Sequence, residues 1–404
     1  MTSREKSKAV NNSQGGLMIW HGMTCSGLWR LFRFKPSLHW SRLHRILSLP
    51  LSGVYNSVMK RVESAVYGRR VKNTEIEHPP LFVLGYWRSG TTLLQTLLSR
   101  DPQFQHLGLY RALFPWHFLL TEKTVTTLTA PFVPEKRPMD NIKVSWDAPQ
   151  EDDMSLCIMA QVSSCMLLSH PHEPSQFWRA LNLDELPAEE LQRWRDSLML
   201  LVKKQTFASS KRIMMKSPIH TYHIPTLLEM FPDARFLYIH RDPYNVFRSS
   251  CHLRRRMIDE NTLGRSLYED IEEEVISTYR YGFEKYEKDR GLIPERRLHE
   301  ISFEEMEKDP VSELRAAYEQ LELSGFDELE KALQPELESL KRYKKNEFQD
   351  DPYWVTRVYD DLRPAFERFG YQKPGTLEST QTNKPTNKPT NKPTNEQTNE
   401  PTNV

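Results

Sequence analysis

The chain has 404 residues, with 55 Lys and Arg against 54 Asp and Glu for a formal net charge of +1, and 38% of its residues are hydrophobic. So even a balance gives no global field for nucleic acid, and the length suits one large α/β domain with extensions. Cys25, Cys157, Cys165 and Cys251 show no paired metal-ligand spacing, and no apolar run reaches the about 18 residues of a membrane span, so the expectation is a cytoplasmic chain with free thiols and no metal.

Residues 1–25 open with a polar stretch that has no apolar signal core, and are expected to be disordered. Residues 26–75 read as a basic helical extension. Between Ser26 and Lys72 stand ten Lys and Arg and one acidic residue, Glu63, interleaved with Trp29, Phe32, Phe34, Trp40, Leu43 and Leu47. Two arrangements fit this pattern: a helical pair packed on the domain with solvated cations, which is the commoner outcome, or an amphipathic segment lying on anionic membrane.

The main domain, residues 76–374, opens with PPLFVLGYWRSGTTLLQTLLSR. Leu81–Leu84 is a short apolar run behind two prolines, the profile of a buried parallel strand. Gly85 and Gly90 bracket a turn. Thr91–Arg100 restores helical periodicity, with Leu93, Leu94, Leu97 and Leu98 on one face. Strand, glycine-bracketed turn and helix start together make a phosphate cradle, because the first N–H groups of a helix are unpaired and its dipole end is positive. The spacing is GxxxxG-T-T, whereas the ATP and GTP loop has lysine after its second glycine. Here Thr91 takes that place and Arg88 is the cation within the loop, which points to a nucleotide whose 5′ side differs from a triphosphate. An ordinary strand-to-helix turn is the plainer alternative.

Asp101 and Pro102 fit a helix stop, and the aromatic stretch Tyr110, Phe114, Trp116, His117, Phe118 reads mainly as core, with an acceptor pocket as the other reading. Glu151, Asp152 and Asp153 stand at a helix start. There they either satisfy the dipole or supply a carboxylate to take a proton from an acceptor hydroxyl. Residues 184–208 read as a surface helix started by Asp184.

Arg212–Met215 is a strand ending at Lys216, Thr221–Phe231 a helix, Arg235–His240 a strand ending at Arg241, and Tyr244–Arg256 a helix carrying Ser249. That order is the grammar of a right-handed parallel crossover, so Lys216 and Arg241 fall on the same rim as the first loop. Cations delivered to one edge by three strand ends point to an anionic ligand. Asp259–Gly291 reads as a charged helix with Ile271, Val275, Tyr279 and Phe283 in register, an exposed flank or an acceptor-side lid. Lys341–Lys345 is a basic cluster read as a solvated run, and Tyr353–Phe369 is the last helix. Residues 375–404 repeat Thr, Asn, Lys or Glu, and Pro without an apolar side chain to bury, and are expected to form a disordered tail.

PLFVLGYWRSGTTLLQTLLSRDP, MMKSPIHT and FPDARFLYIHRDPYNVFRSS resemble the signature blocks of the sulfotransferases that use 3′-phosphoadenosine-5′-phosphosulfate (PAPS), in the bacterial-type branch with an RSGTT loop and an HRDP strand end. RLHEISFEEMEKDPVSELRAAYEQLEL resembles the family's late strand and helix, so the likeness runs from about Pro79 to Gly370. It implies an α/β fold of three layers, α/β/α, with a central parallel sheet like that of the P-loop nucleoside triphosphate hydrolases. It also implies that Arg88, Ser89, Gly90, Thr91 and Thr92 hold the 5′-phosphosulfate, that Arg241 and Ser249 grip the 3′-phosphate, and that Lys216 lies near the transferred sulfuryl group. PAPS would be the co-substrate, with no metal required.

The general base is less marked. Pro218 stands where animal cytosolic relatives carry a histidine, while Glu151 and Asp152 resemble an acidic element of the bacterial-type branch; Glu151 is the first choice and Asp152 or His220 the second. The implied reaction is in-line transfer of a sulfuryl group to a hydroxyl or amine of a small-molecule, glycan, lipid or peptide acceptor. A P-loop-type kinase is the enzymatic rival, disfavoured by Thr91 in the lysine position. A non-catalytic adaptor binding nucleotide or membrane is the other, and the presence of Arg88, Lys216, Arg241 and Ser249 argues against it.

Overall fold

Five short strands, β1 (Leu81–Gly85), β2 (Phe104–His106), β3 (Arg212–Lys216), β4 (Arg235–His240) and β5 (Leu298–Ser302), form one sheet in the order β2-β3-β1-β4-β5. They belong to a computed structural model that describes residues 18–132, 145–170, 175–266, 269–341 and 350–374. Every pairing is parallel: Phe82 lies opposite both Met215 and Phe236, Gly85 opposite Ile239, and His240 opposite Ser302. All carboxyl ends therefore emerge at one edge. From β1 the chain runs out to β2 and β3 on one side, then crosses to β4 and β5 on the other, which makes the end of β1 the crevice where ligands enter such sheets.

Alternation along each strand builds the two outer layers. Phe82, Leu84, Ile213, Met215, Phe236 and Tyr238 face one way, into a core closed by the helices Asp152–Ala160 and Ala188–Ala208. Leu81, Val83, Met214, Leu237, Ile239 and Ile301 face the other way, onto the helices Thr91–Leu98, Pro310–Gln320 and Phe326–Lys341. The three-layer α/β/α architecture is thus present. β1 is buried along its whole length, as its continuous apolar run requires.

Several elements depart from the sequence reading, each for a local reason. Met18, Ile19, Trp20 and Met23 are buried, so the ordered structure begins before residue 26. Expectations for residues 1–17, for the Lys341–Lys345 cluster beyond its first residue, and for the tail from 375 on lie outside the described residues. Asp184 does not start the long helix; it sits in the 3₁₀ turn Leu183–Glu185, and Pro187 precedes the helix Ala188–Ala208. The expected Thr221–Phe231 helix is split into a 3₁₀ turn, Pro218–Tyr222, and a helix, Ile224–Met230, with a proline in the first turn of each. Tyr353–Phe369 is likewise two helices, Pro352–Asp361 and Arg363–Phe369. The helix Ile271–Asp289 is no exposed flank: Ile271, Val275, Ile276 and Tyr279 are buried in a third cluster. That cluster also holds Trp20, Leu28, Leu31 and Leu49, so the two N-terminal helices, Cys25–Arg33 and Leu43–Lys72, are packed on the domain.

Candidate active site

The loop after β1 is held in a conformation that its glycines permit. Gly85 has φ 141° and Gly90 φ 109°, and Arg88 between them stands at φ 70°, a region that side-chain-bearing residues seldom occupy. A Cβ on Gly85 would come within 2.5 Å of the Ile239 carbonyl oxygen, and one on Gly90 within 2.4 Å of Phe303 Cδ2. The loop thus lies tight against the ends of β4 and β5. Its entry is pinned by Thr221 Oγ1, which accepts from Gly85 N at 3.0 Å and donates to the Gly85 carbonyl at 3.1 Å. Ser250 Oγ donates to the Trp87 carbonyl at 3.0 Å. Gly90 then leads directly into the helix Thr91–Leu98, with Thr91 buried and Thr92 half-buried.

Arg241, just past β4, is joined to this loop. Its Nη1 donates to the Arg88 carbonyl at 3.3 Å, and its guanidinium lies 4.2 Å over the Phe303 ring. Arg88 Nε in turn donates to Ser249 Oγ at 2.8 Å. Ser249 is presented by the helix Pro243–Asn261, whose start is capped by Asp242 accepting from Asn245 N at 2.7 Å. Burial pulls the Arg241 guanidinium below its usual range, and Glu304 is the main charge opposing that shift. Two buried polar atoms of the loop and rim, Ser89 Oγ and Arg241 Nε, have no hydrogen-bond partner among the described residues. Unpaired buried donors are uncommon and expensive, so a cradle with two of them fits an anionic ligand that supplies the acceptors.

Lys216 ends β3 with its side chain only 3% exposed, and its Nζ donates to Glu151 Oε1 at 2.9 Å. The acidic turn is tied to the cradle helix through Gln95 Nε2, which donates to the Gln150 carbonyl at 3.2 Å. It is tied to the end of β3 through Asp153 N, which donates to Ser217 Oγ at 3.0 Å. Glu151, 31% exposed in its side chain, is the accessible carboxylate of this turn. Asp152 and His220 are fully buried and face each other, with His220 Nε2 2.5 Å from Asp152 Oδ2. The fold therefore brings Lys216 and Glu151 together at the edge and sets Asp152 and His220 behind it. Asp153 is also enclosed, and burial raises its carboxyl pKa to about 7 although Ser164 N and Oγ donate to it.

Sequence reasoning missed three contributors. Phe303 carries Arg241, Glu304 accepts from Asp242 N at 3.1 Å, and Thr221 fixes the loop entry. The first two follow β5, and the rule that every parallel strand delivers its carboxyl end to one rim would have found them.

Comparison with known proteins gives a consistent picture. A model of the sulfotransferase family matches residues 79–328. The omega-hydroxy-beta-dihydromenaquinone-9 sulfotransferase Stf3 of Mycobacterium bovis is 32% identical over 360 residues, 88% of this chain and 92% of that protein, and its Mycobacterium tuberculosis counterpart matches equally. Among solved structures, sulfotransferase STF9 from Mycobacterium avium superposes with a TM-score of 0.64 at 21% identity, covering 88% of this chain and 93% of its own. Sulfotransferase STF1 from Mycobacterium tuberculosis gives 0.57 at 19% identity, over 78% and 89%. These two share the fold.

Proposed function

This chain belongs to the sulfotransferase family, and on that premise we propose that it moves a sulfuryl group from PAPS to a hydroxyl group of a small lipid-like acceptor. The observation that carries the donor assignment is the connected set Arg88, Ser249 and Arg241 beside a loop that has Thr91 where triphosphate-binding loops have lysine. One cation within the loop, Arg88, and a second off it, Arg241 with Ser249, suit a nucleotide with anions at both ends. The hydroxyl acceptor is suggested by the Stf3 relatives, whose name describes an omega-hydroxylated dihydromenaquinone as their substrate.

When bound, the donor supplies an activated sulfuryl group and a leaving nucleotide on which negative charge develops. The residues of this chain divide the remaining work. Arg88, the Ser89 hydroxyl, the Gly90 amide and the amides and hydroxyls of Thr91 and Thr92 serve the 5′ side, at the positive end of the Thr91–Leu98 helix. Arg241 and Ser249 grip the 3′-phosphate. Lys216 holds a positive charge at the carboxyl end of β3, against the oxygen that gains charge. Glu151, 2.9 Å from Lys216 Nζ, is the group placed to take the acceptor's hydroxyl proton. Asp152 and His220 support the turn from behind.

Calorimetric titration with adenosine 3′,5′-bisphosphate, ADP and ATP tests the donor assignment. The bisphosphate is expected to bind best, and Arg241→Ala to abolish that preference. Tighter binding of ATP would overturn the reading in favour of a kinase.

A further inference from the structure

The helix Leu43–Lys72 packs with polar side chains inward. Its buried positions include Arg45, Asn56 and Glu63, and each is satisfied by distant backbone or charge. Arg45 Nη1 donates to the Glu260 carbonyl at 2.8 Å, Asn56 Nδ2 donates to the Met23 carbonyl at 2.8 Å, and Glu63 Oε1 lies 2.5 Å from Lys204 Nζ. Outward, Leu43, Leu47, Leu51, Val54, Val58, Val62 and Val66 recur at helical spacing and are 39% to 79% exposed. At the rise of an α-helix that stripe is about 34 Å long. Trp29, Phe32, Leu38 and Trp40, on the preceding helix and the segment after it, are exposed as well, so that twelve of the fifteen exposed large hydrophobic side chains among the described residues lie between Trp29 and Val66. Scattered exposed apolar residues are ordinary, but a continuous face of this length marks an interaction surface.

Charge selects the occupant. The segment from Ser26 to Lys72 carries ten Lys and Arg, and its one acidic residue, Glu63, is buried against Lys204. Arg33, Lys35, Arg61, Arg69 and Lys72 are exposed, and by helical phase Arg61, Arg69 and Lys72 stand on the side of the apolar stripe. A second copy offering the same face would set like charges against one another. A purely apolar protein groove would leave the cations without partners. An anionic bilayer meets both features, with acyl chains for Leu, Val and Trp and headgroup anions for Arg and Lys. No described helix is long and apolar enough to cross a membrane, so the contact runs along the surface.

We propose that the outer face of the helices Cys25–Arg33 and Leu43–Lys72 is a docking surface for an anionic lipid bilayer, on which the enzyme lies peripherally. These side chains are separate from the strand-edge cluster, so the inference stands or falls apart from the donor assignment.

Vesicle flotation of the full chain, without nucleotide, is the test. The chain should float with vesicles of phosphatidylcholine containing about one third phosphatidylglycerol, bind phosphatidylcholine alone at least about tenfold more weakly, and lose affinity as salt rises. Leu47→Glu/Leu51→Glu/Val58→Glu should reduce binding more than about tenfold at an unchanged thermal midpoint, because these side chains touch solvent. Arg61→Glu/Arg69→Glu/Lys72→Glu, which alters no apolar contact, should remove the preference for anionic lipid. Absence of flotation, or flotation unaffected by either triple variant, overturns the proposal. A concentration-dependent dimer in sedimentation velocity that the Leu/Val variant abolishes also overturns it, and assigns the face to a second copy.

Discussion

Glu151, Asp152 and Asp153 are consecutive in the chain and occupy three environments. Glu151 precedes the helix and pairs with Lys216 at the edge; Asp152 turns inward to His220; Asp153 turns inward to Ser164. Composition and spacing showed three acids at a helix start, and only the family resemblance put Glu151 ahead of Asp152, because their environments depend on the phase at which the helix meets β3. Glu151→Gln is expected to lower kcat by about a hundredfold or more, with the thermal midpoint unchanged. Asp152→Asn should instead destabilise the fold by about 2 kcal/mol, since it weakens a hydrogen bond within a fully buried pair; urea unfolding beside steady-state kinetics separates the two effects. Asp153 makes a prediction in pH. Its folded-state pKa is about 7 against 3.8 for the free side chain, so the native state holds the extra proton between those values. The stability this proton contributes is complete below about pH 4 and is lost as pH rises through about 7. The stability of the wild type relative to Asp153→Asn should therefore fall over that window and level off above it. Parallel stability curves for the two proteins would contradict the raised pKa.

The loop and the strands it joins differ in how far they could be read from the chain. β1 and β4 were legible because central parallel strands are apolar throughout, as Leu81–Leu84 and Phe236–Ile239 are. The glycine spacing announced the cradle. β2 gave no such signal: Phe104–His106 is three residues long and lies at the sheet edge. β5, with the sequence LHEIS, also lies at an edge and has only Ile301 fully buried, so it came from the family resemblance rather than from periodicity. The strand-end rule could have put Phe303 on the rim, but not its contact with Gly90 and Arg241, which exists only once β5 is beside β4. The same packing makes the loop intolerant of added bulk. Gly90→Ala must combine a left-handed φ with a clash against Phe303 and should cost more than about 1 kcal/mol while weakening bisphosphate binding. In Gly85→Ala the new methyl group meets the Ile239 backbone rather than a side chain that can rotate, so the stability loss should be the larger of the two. Chemical denaturation and calorimetry of both variants check the order.

At the scale of the whole molecule, the question is whether the N-terminal helices are an appendage or part of the fold. Trp20, Leu28, Leu31 and Leu49 share one buried cluster with Phe247, Ile258, Val275 and Phe366, residues that close the domain from its far end in sequence. The attachment is also ionic. Lys204 and Glu63 are nearly inaccessible, with side chains 4% and 5% exposed; Lys204 Nζ also donates to the Pro115 carbonyl, and Glu63 Oε2 accepts from Leu120 N at 3.1 Å. Burial pulls the Lys204 pKa down to about 8 and pushes that of Glu63 up, so both ions are held against the cost of leaving water. Glu63→Gln preserves the volume but leaves Lys204 without its counter-charge, and is expected to cost about 3 to 5 kcal/mol. If the N-terminal helices are integral, the loss falls on one cooperative transition, and tryptophan fluorescence and far-ultraviolet circular dichroism shift to the same lower midpoint. Two separated transitions, with only the first moved by the substitution, would make the basic helices an independent unit seated on a sulfotransferase domain that is stable without them.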